Sequence, residues 1–278
     1  MAKGSFRVVT DSTADLPPEW AEKYAIEVVP LRVIFGQESF RDGVDLDSEQ
    51  FFDRLRQASR LPTTSAPSPG DFAAVYERLA ADTEAVISIH IGGQLSATVE
   101  SARVGAQSVE GVRVHVVDSR STTMTMAFLC QVAAESPSFE EAVRRVEERV
   151  PKQRIIALLD TLRYIEMGGR VNRAQAMIGT MLDLKPVLGV ADGQIKPLDR
   201  VRTRSRAIPR IIELLRDDNP LEHVAVMHAQ APEEAQRITE EIAPELKKEG
   251  VEVVTSQIGA VLGTHVGPKA LGFAYLKR

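Results

Sequence analysis

The chain carries one cysteine, Cys130, in 278 residues. That excludes an internal disulfide and a cysteine-rich metal site. Cys130 lies in the apolar stretch Ala127-Phe128-Leu129-Cys130 and reads as a small core residue rather than a nucleophile. Aromatic residues make up only 5%, the net charge is -5, and no long basic run occurs. The stacking platforms and basic face of a nucleic-acid binder are therefore missing. No apolar run reaches the ~20 residues of a transmembrane helix, and the N-terminus lacks the apolar core of a signal peptide. These absences point to a soluble cytoplasmic protein with no integral membrane segment. What is present is 44% hydrophobic residues, ample for a core in one large domain or two modest ones.

The first half alternates short β-branched runs with helical patterns. Phe6 to Thr10, Ile26 to Phe35, Ala85 to His90 and Val112 to Val117 read as strands. Helical spacing runs over Glu19 to Tyr24, Ser48 to Ala58, Gly70 to Leu79, Leu95 to Ala106, Thr123 to Ala134 and Phe139 to Val150. Such alternation implies parallel βαβ units. The second half differs. Arg154 to Leu159 is a strand followed by helical segments with loop glycines Gly168-Gly169. Lys185 to Val190 and Gln194 to Pro197 flank Asp192-Gly193, a strong hairpin signal. Arg206 to Leu215 and Pro232 to Glu249 are helical, and His223 to His228, Val251 to Ile258 and Gly272 to Leu276 are strand-like. The expected fold is thus α/β in two domains, a parallel-sheet domain over 1–150 and a mixed α+β domain over 151–278, with the boundary near Pro151.

Three polar motifs stand out. Gly259-Ala260-Val261-Leu262-Gly263-Thr264-His265-Val266-Gly267-Pro268 places a hydroxyl and an imidazole among glycines that let backbone approach a ligand closely. Its charge-free character suits one wall of a site for a small acid group. Thr63 and Thr64 lie in a loop stiffened by Pro62 and Pro67. They either hold two hydroxyls for a ligand or belong to a loop capping the next helix. Gly92, Gly93, Gln94 and Leu95 join a strand to a helix that Ser96 begins. Ligands bind at such strand ends in α/β folds, and a helix start favours an anion; alternatively Ser96 is only an N-cap. His90 reads as a packed histidine. Asp11, at the end of the first strand, fits a phosphoryl nucleophile, but the partner acid two residues on is replaced by Thr13. Asp15 reads as a helix cap, and Asp42, Asp45 and Asp47 as solvated turn acids. Arg170 and the run Arg200-Val201-Arg202-Thr203-Arg204-Ser205-Arg206 form either ordinary charged surface or a docking patch for an anionic partner.

From end to end, these motifs in this order resemble the DegV family: Val9-Thr10-Asp11-Ser12-Thr13-Ala14-Asp15-Leu16-Pro17, Pro62-Thr63-Thr64-Ser65, Ser88-Ile89-His90-Ile91 with Leu95-Ser96, Leu159-Asp160-Thr161-Leu162 with Gly168-Gly169-Arg170, Lys185-Pro186, Val201-Arg202-Thr203 and Gly263-Thr264-His265-Val266-Gly267-Pro268. The resemblance implies a two-domain protein holding one long-chain fatty acid, such as palmitate, in a buried tunnel near the domain junction. It implies no other cofactor and no catalysis by the chain itself. By position, Thr64, Ser96 and His265 would hold the carboxyl, with Thr63 and Gly93 beside them. Some members serve as lipid-carrying subunits of a fatty acid kinase, a separate ATP-dependent enzyme that makes an acyl phosphate, with a link to phospholipid metabolism; Arg170 and Arg202 are then candidates for that contact. The family often has Ser-Ser where Gly92-Gly93 stands here, which shifts the expected carboxyl contact toward backbone N–H groups, Thr64 and His265. The rival readings are a stand-alone phosphoryl-transfer or hydrolytic enzyme built on Asp11 and Ser12, and a lipid sensor or store without a kinase.

Overall fold

A computed structural model describes residues 6–170 and 184–278; part of the helical region expected after Leu159 lies outside them. In chain order the elements are β1 (Arg7–Asp11), α1 (Pro18–Tyr24), β2 (Glu27–Val29), β3 (Arg32–Phe35), β4 (Glu38–Arg41), α2 (Ser48–Gln57), β5 (Thr63–Ser65), α3 (Pro69–Ala80), β6 (Ala85–His90), α4 (Thr98–Gln107), β7 (Arg113–Asp118), α5 (Met124–Ala134) and α6 (Phe139–Arg149). There follow β8 (Gln153–Leu158), α7 (Arg163–Met167), β9 (Lys185–Ala191), β10 (Gln194–Val201), α8 (Arg204–Asp217), β11 (Leu221–His228), α9 (Pro232–Lys248), β12 (Val253–Gln257), α10 (Ala260–Val266) and β13 (Leu271–Lys277).

The first sheet has the order β2-β1-β6-β7 and is parallel throughout. β6 is buried at all six positions, as expected for an apolar strand covered on both faces. The second sheet, β10-β9-β8-β13-β11-β12, is mixed: only β11 and β12 run parallel. Asp192-Gly193 turns the β9–β10 hairpin, with Asp192 at φ 51° and Gly193 at φ 73°.

The single strand expected over Ile26 to Phe35 is two. Pro30 carries no N–H and interrupts the run, and the chain passes from β2 in the first sheet to β3 in a separate sheet, β4-β3-β5. α5 lies between the large sheets, touching β1 and β6 on one side and β8, β11 and β13 on the other. Its apolar run from Met126 to Cys130 is fully enclosed, which explains why it shows no polar face. Cys130 is buried there, and burial pushes its thiol up to about 12. Among the described residues, no helix is long and apolar enough to cross a membrane.

Candidate functional site

A cavity enclosing about 1040 Å³ of space free of protein atoms, mouth included, lies where these layers meet. Its walls come from both halves of the chain: Leu31, Ile91, Leu95 and Thr122 from the first, Leu188, Val190 and Met227 from the second. Most of the lining is aliphatic. Among the described residues, the polar side chains on it are few: Thr64, Ser96, Thr122, Thr123, Arg170 and His265.

α10 forms one wall. Val261 and His265, and Leu262 and Val266, are i,i+4 pairs on one helix face, and all four line the cavity. The helix is buttressed from behind. A Cβ at Gly263 would lie 2.7 Å from the Phe51 ring, so only glycine lets α10 seat on α2. A Cβ at Gly168 would lie 2.3 Å from His265 Nδ1; the bare glycine after α7 makes room for the imidazole. Gly263 and Gly267, expected to let backbone approach a ligand, thus make room for the Phe51 and Tyr164 rings instead.

His265 Nε2 lies 3.0 Å from Thr64 Oγ1. Its Nδ1 is buried and, among the described residues, has no hydrogen-bond partner. Burial, reinforced by the Arg170 guanidinium, lowers its pKa to about 4, so the ring is neutral at pH 7. The sequence left open whether a nearby carboxylate or burial would decide that charge; here burial is the first cause. Of the two neutral tautomers, the one with the proton on Nε2 donates to Thr64 Oγ1. It leaves the Thr64 hydroxyl proton free for the cavity and avoids stranding an N–H at Nδ1.

Thr64 and Thr63 sit on β5 rather than in a loop, paired with Val33 and Ile34. Neighbouring strand residues point to opposite faces, so Thr64 faces His265 while Thr63 is exposed and does not line the cavity. Ser96 does line it. Its Oγ accepts the Thr98 N–H at 3.3 Å and lies 2.8 Å from Thr98 Oγ1, but it is not the N-cap: that position is Ala97, with no side-chain capping bond. Gly93 is not brought to the cavity: it is exposed, and its N–H is donated to Asp118 Oδ1 at 3.1 Å. The Gly92 N–H goes to the Ser121 carbonyl at 2.9 Å. The Gly92-Gly93 amides expected to meet a carboxyl are therefore already engaged.

Arg170 borders the cavity beside His265, and its Nε donates to the Leu95 carbonyl of the first half at 3.3 Å. Arg202 is exposed and lies away from the lining. Thr122 and Thr123 were not singled out in the sequence, because a threonine pair before a helix carries no distinguishing signal.

Asp11 offers no free oxygen for a nucleophilic role. Oδ1 accepts the Thr13 N–H at 3.0 Å, and Oδ2 accepts the Ile91 N–H at 3.0 Å and lies 3.0 Å from His90 Nδ1. His90 Nε2 lies 2.7 Å from Ser88 Oγ, which in turn meets the Tyr76 hydroxyl at 2.8 Å. This network is wholly buried. Asp45 is a turn acid paired with Arg41, and Asp47 caps α2. Asp42, expected in solvent, is only 5% exposed; burial pushes its pKa up to about 6, against the hydrogen bonds from Ser12 and the Ala260 and Val261 N–H groups. Among the described residues, no three His, Cys, Asp or Glu side chains are placed to hold a metal ion.

Comparison with known proteins places this geometry in context. The profile of the DegV family, described as "Uncharacterised protein, DegV family", matches residues 5–278. Protein DegV of Bacillus subtilis is 38% identical over 277 residues, covering 96% of this chain and 98% of that protein. The crystal structure described as DegV, a fatty acid binding protein from Bacillus subtilis, superposes with a TM-score of 0.89 at 37% identity, covering 99% of each chain. A DegV family protein from Thermus thermophilus, described by its fatty acid binding, gives 0.89 at 30% identity, covering 99% of this chain and 100% of that one. A stearic-acid-binding protein from Eubacterium ventriosum gives 0.84 at 26%, covering 98% of each.

Proposed function

The chain belongs to the DegV family, and from that premise we propose that it is a carrier that binds one long-chain fatty acid and presents its carboxyl group to a separate ATP-dependent fatty acid kinase. The observation that carries this reading is one cavity with a largely aliphatic lining in which Thr64 and His265 meet 3.0 Å apart with Arg170 beside them. A buried carboxylate is costly unless hydrogen-bonded. Thr64 and Ser96 supply hydroxyls, neutral His265 orients Thr64, and Arg170 supplies the positive charge that His265 lacks. The aliphatic walls supply affinity: each buried CH₂ contributes about 0.8 kcal/mol, so a C16 tail brings on the order of 10 kcal/mol before binding costs. The polar groups then fix which end of the lipid faces outward.

Arg170 at the cavity and Arg202 at the surface form the docking face for the kinase in this reading, which needs the carboxyl near the contact. In this reading the domains meet near Pro151, the lipid lies at their junction within reach of loops from both, and the product feeds phospholipid synthesis in the cytoplasm. An enzyme built on Asp11 is disfavoured by the saturation of both its carboxylate oxygens.

The test adds palmitate, ATP and a fatty acid kinase to the purified chain and measures acyl phosphate. Formation that requires both proteins supports the reading. Charge reversal at Arg170 and Arg202 is expected to lower the rate with lipid still bound. Lipid binding without any acyl phosphate, across kinases that act on other family members, would leave a lipid store and remove the kinase role.

A further inference from the structure

The turn Asp11-Ser12-Thr13-Ala14-Asp15 has no task in the carrier reading, yet its last residue ties together three pieces of the cavity's surroundings. Asp15 is buried at φ 47°. Its Oδ1 accepts the Gly259 N–H at 2.8 Å, its Oδ2 lies 2.6 Å from Thr123 Oγ1, and its carbonyl accepts the Ser256 hydroxyl at 3.4 Å. Gly259 opens α10, and the next N–H, of Ala260, goes to Asp42 Oδ1 at 3.1 Å. Thr123 opens α5 and lines the cavity at φ 54° and ψ -150°. A β-branched residue occupies that region only when its surroundings hold it there. Here the holders are the Asp15 carboxyl and the Thr13 carbonyl, which accepts the Thr123 N–H at 2.7 Å.

The lever is short but sufficient. His265 lies six residues beyond Gly259, about 9 Å along the helix axis at 1.5 Å per residue. A tilt of about 10° at the helix start therefore moves the imidazole by roughly 1.5 Å, enough to break its 3.0 Å contact with Thr64. The charged groups facing Asp15 are Asp42 and Asp11; burial first, then these, push Asp15 up to about 8, against the hydrogen bonds from Thr123 and Gly259. Asp15 therefore keeps its proton at pH 7; with that proton on Oδ2 the carboxyl donates to Thr123 Oγ1 and accepts the Gly259 N–H on Oδ1, a pairing that the N–H and oxygen of an Asn amide reproduce.

We propose that Asp15 is a positioning residue for lipid binding: it locks the wall residue Thr123 and the start of α10 into one unit, so that α10 delivers His265 to Thr64. Asp15 does not line the cavity itself, and the proposal rests on the carrier reading for its functional consequence.

The test titrates palmitate onto the delipidated full-length chain and, separately, follows the His265 imidazole by NMR against pH in the ligand-free protein. Failure of the wild-type chain to bind palmitate would sink the carrier reading, and the imidazole measurement would still judge Asp15. Asp15→Ala is expected to weaken palmitate binding about tenfold and to raise the His265 pKa from about 4 toward its ordinary 6.5, because a displaced ring regains solvent. Asp15→Asn is expected to restore both. Wild-type affinity with an unmoved His265 titration in Asp15→Ala would overturn the proposal, and so would a folded Asp15→Asn as weak as Asp15→Ala. If Asp15→Ala does not fold, Thr123→Val removes one of the two contacts and decides: about threefold weaker binding is expected, and wild-type affinity overturns it.

Discussion

Two histidines in this molecule meet opposite fates. His90 lies inside the first sheet, with Asp11 on one ring nitrogen and Ser88 on the other. His265 lies at the cavity with Thr64 on one nitrogen and, among the described residues, no hydrogen-bond partner on the other. A histidine whose partners are all protein groups has been spent on architecture. One with incomplete partners beside an open space is available to a ligand. Burial differs as well, since His90 is fully enclosed and His265 only partly, but hydrogen-bond completeness is what sets their roles apart.

The largest effect should come from exchanging the two sites' fates. His90→Ala removes a partner from two buried polar groups and opens a void in a packed core, and is expected to cost about 3–5 kcal/mol of stability by denaturant unfolding. His265→Ala is expected to cost far less stability and to abolish most palmitate retention. Equal stability losses in the two variants would break the comparison. Next, Gly168→Val should drive a side chain into the His265 ring, given the 2.3 Å approach of even a Cβ, and lower palmitate affinity by roughly tenfold or more with the chain folded. Thr64→Val deletes the hydroxyl that joins His265 to the cavity; about fivefold to tenfold weaker binding is expected by titration, with little change in unfolding.

The smallest effects are in pH dependence, where the signs differ between groups. Asp15 and Asp42 have folded pKa values of about 8 and about 6 against an ordinary 3.8. Their contribution to stability is full below about 4 and is lost as pH rises through those values. His265 is lowered to about 4 from 6.5, so its contribution is present above 6.5 and is lost as pH falls through about 4. Unfolding curves between pH 4 and 9 should show both limbs. Asp15→Asn should flatten the alkaline one and His265→Ala the acid one, and a wild-type profile in either variant would contradict the assignment.

Much of this was legible in the sequence. The β-branched runs of β1, β6 and β7, the Asp192-Gly193 turn and the change from parallel to mixed sheet all follow from local chemistry. Thr64, Ser96 and His265, drawn from three distant motifs, do line one cavity. What stayed hidden was decided by tertiary packing. β5 is three residues beside a proline, too short to show a period. Strand alternation separated Thr63 from Thr64, and the Gly93 amide was taken by Asp118. The α10 glycines serve Phe51 and the neighbouring helix, contacts that no local pattern announces. Asp42 looks like any turn acid until β3, β4 and α10 close over it. Thr123 holds a conformation that its residue type disfavours, so sequence preference points away from it.

The central claim is that the cavity is built for one fatty acid with its carboxyl at Thr64 and His265. Native mass spectrometry of the purified chain, followed by denaturing extraction, tests it most directly. The account predicts a mass increment of one fatty acid per chain, recovered on extraction and largely missing from His265→Ala. A chain that is empty as purified and takes up no added fatty acid would contradict it.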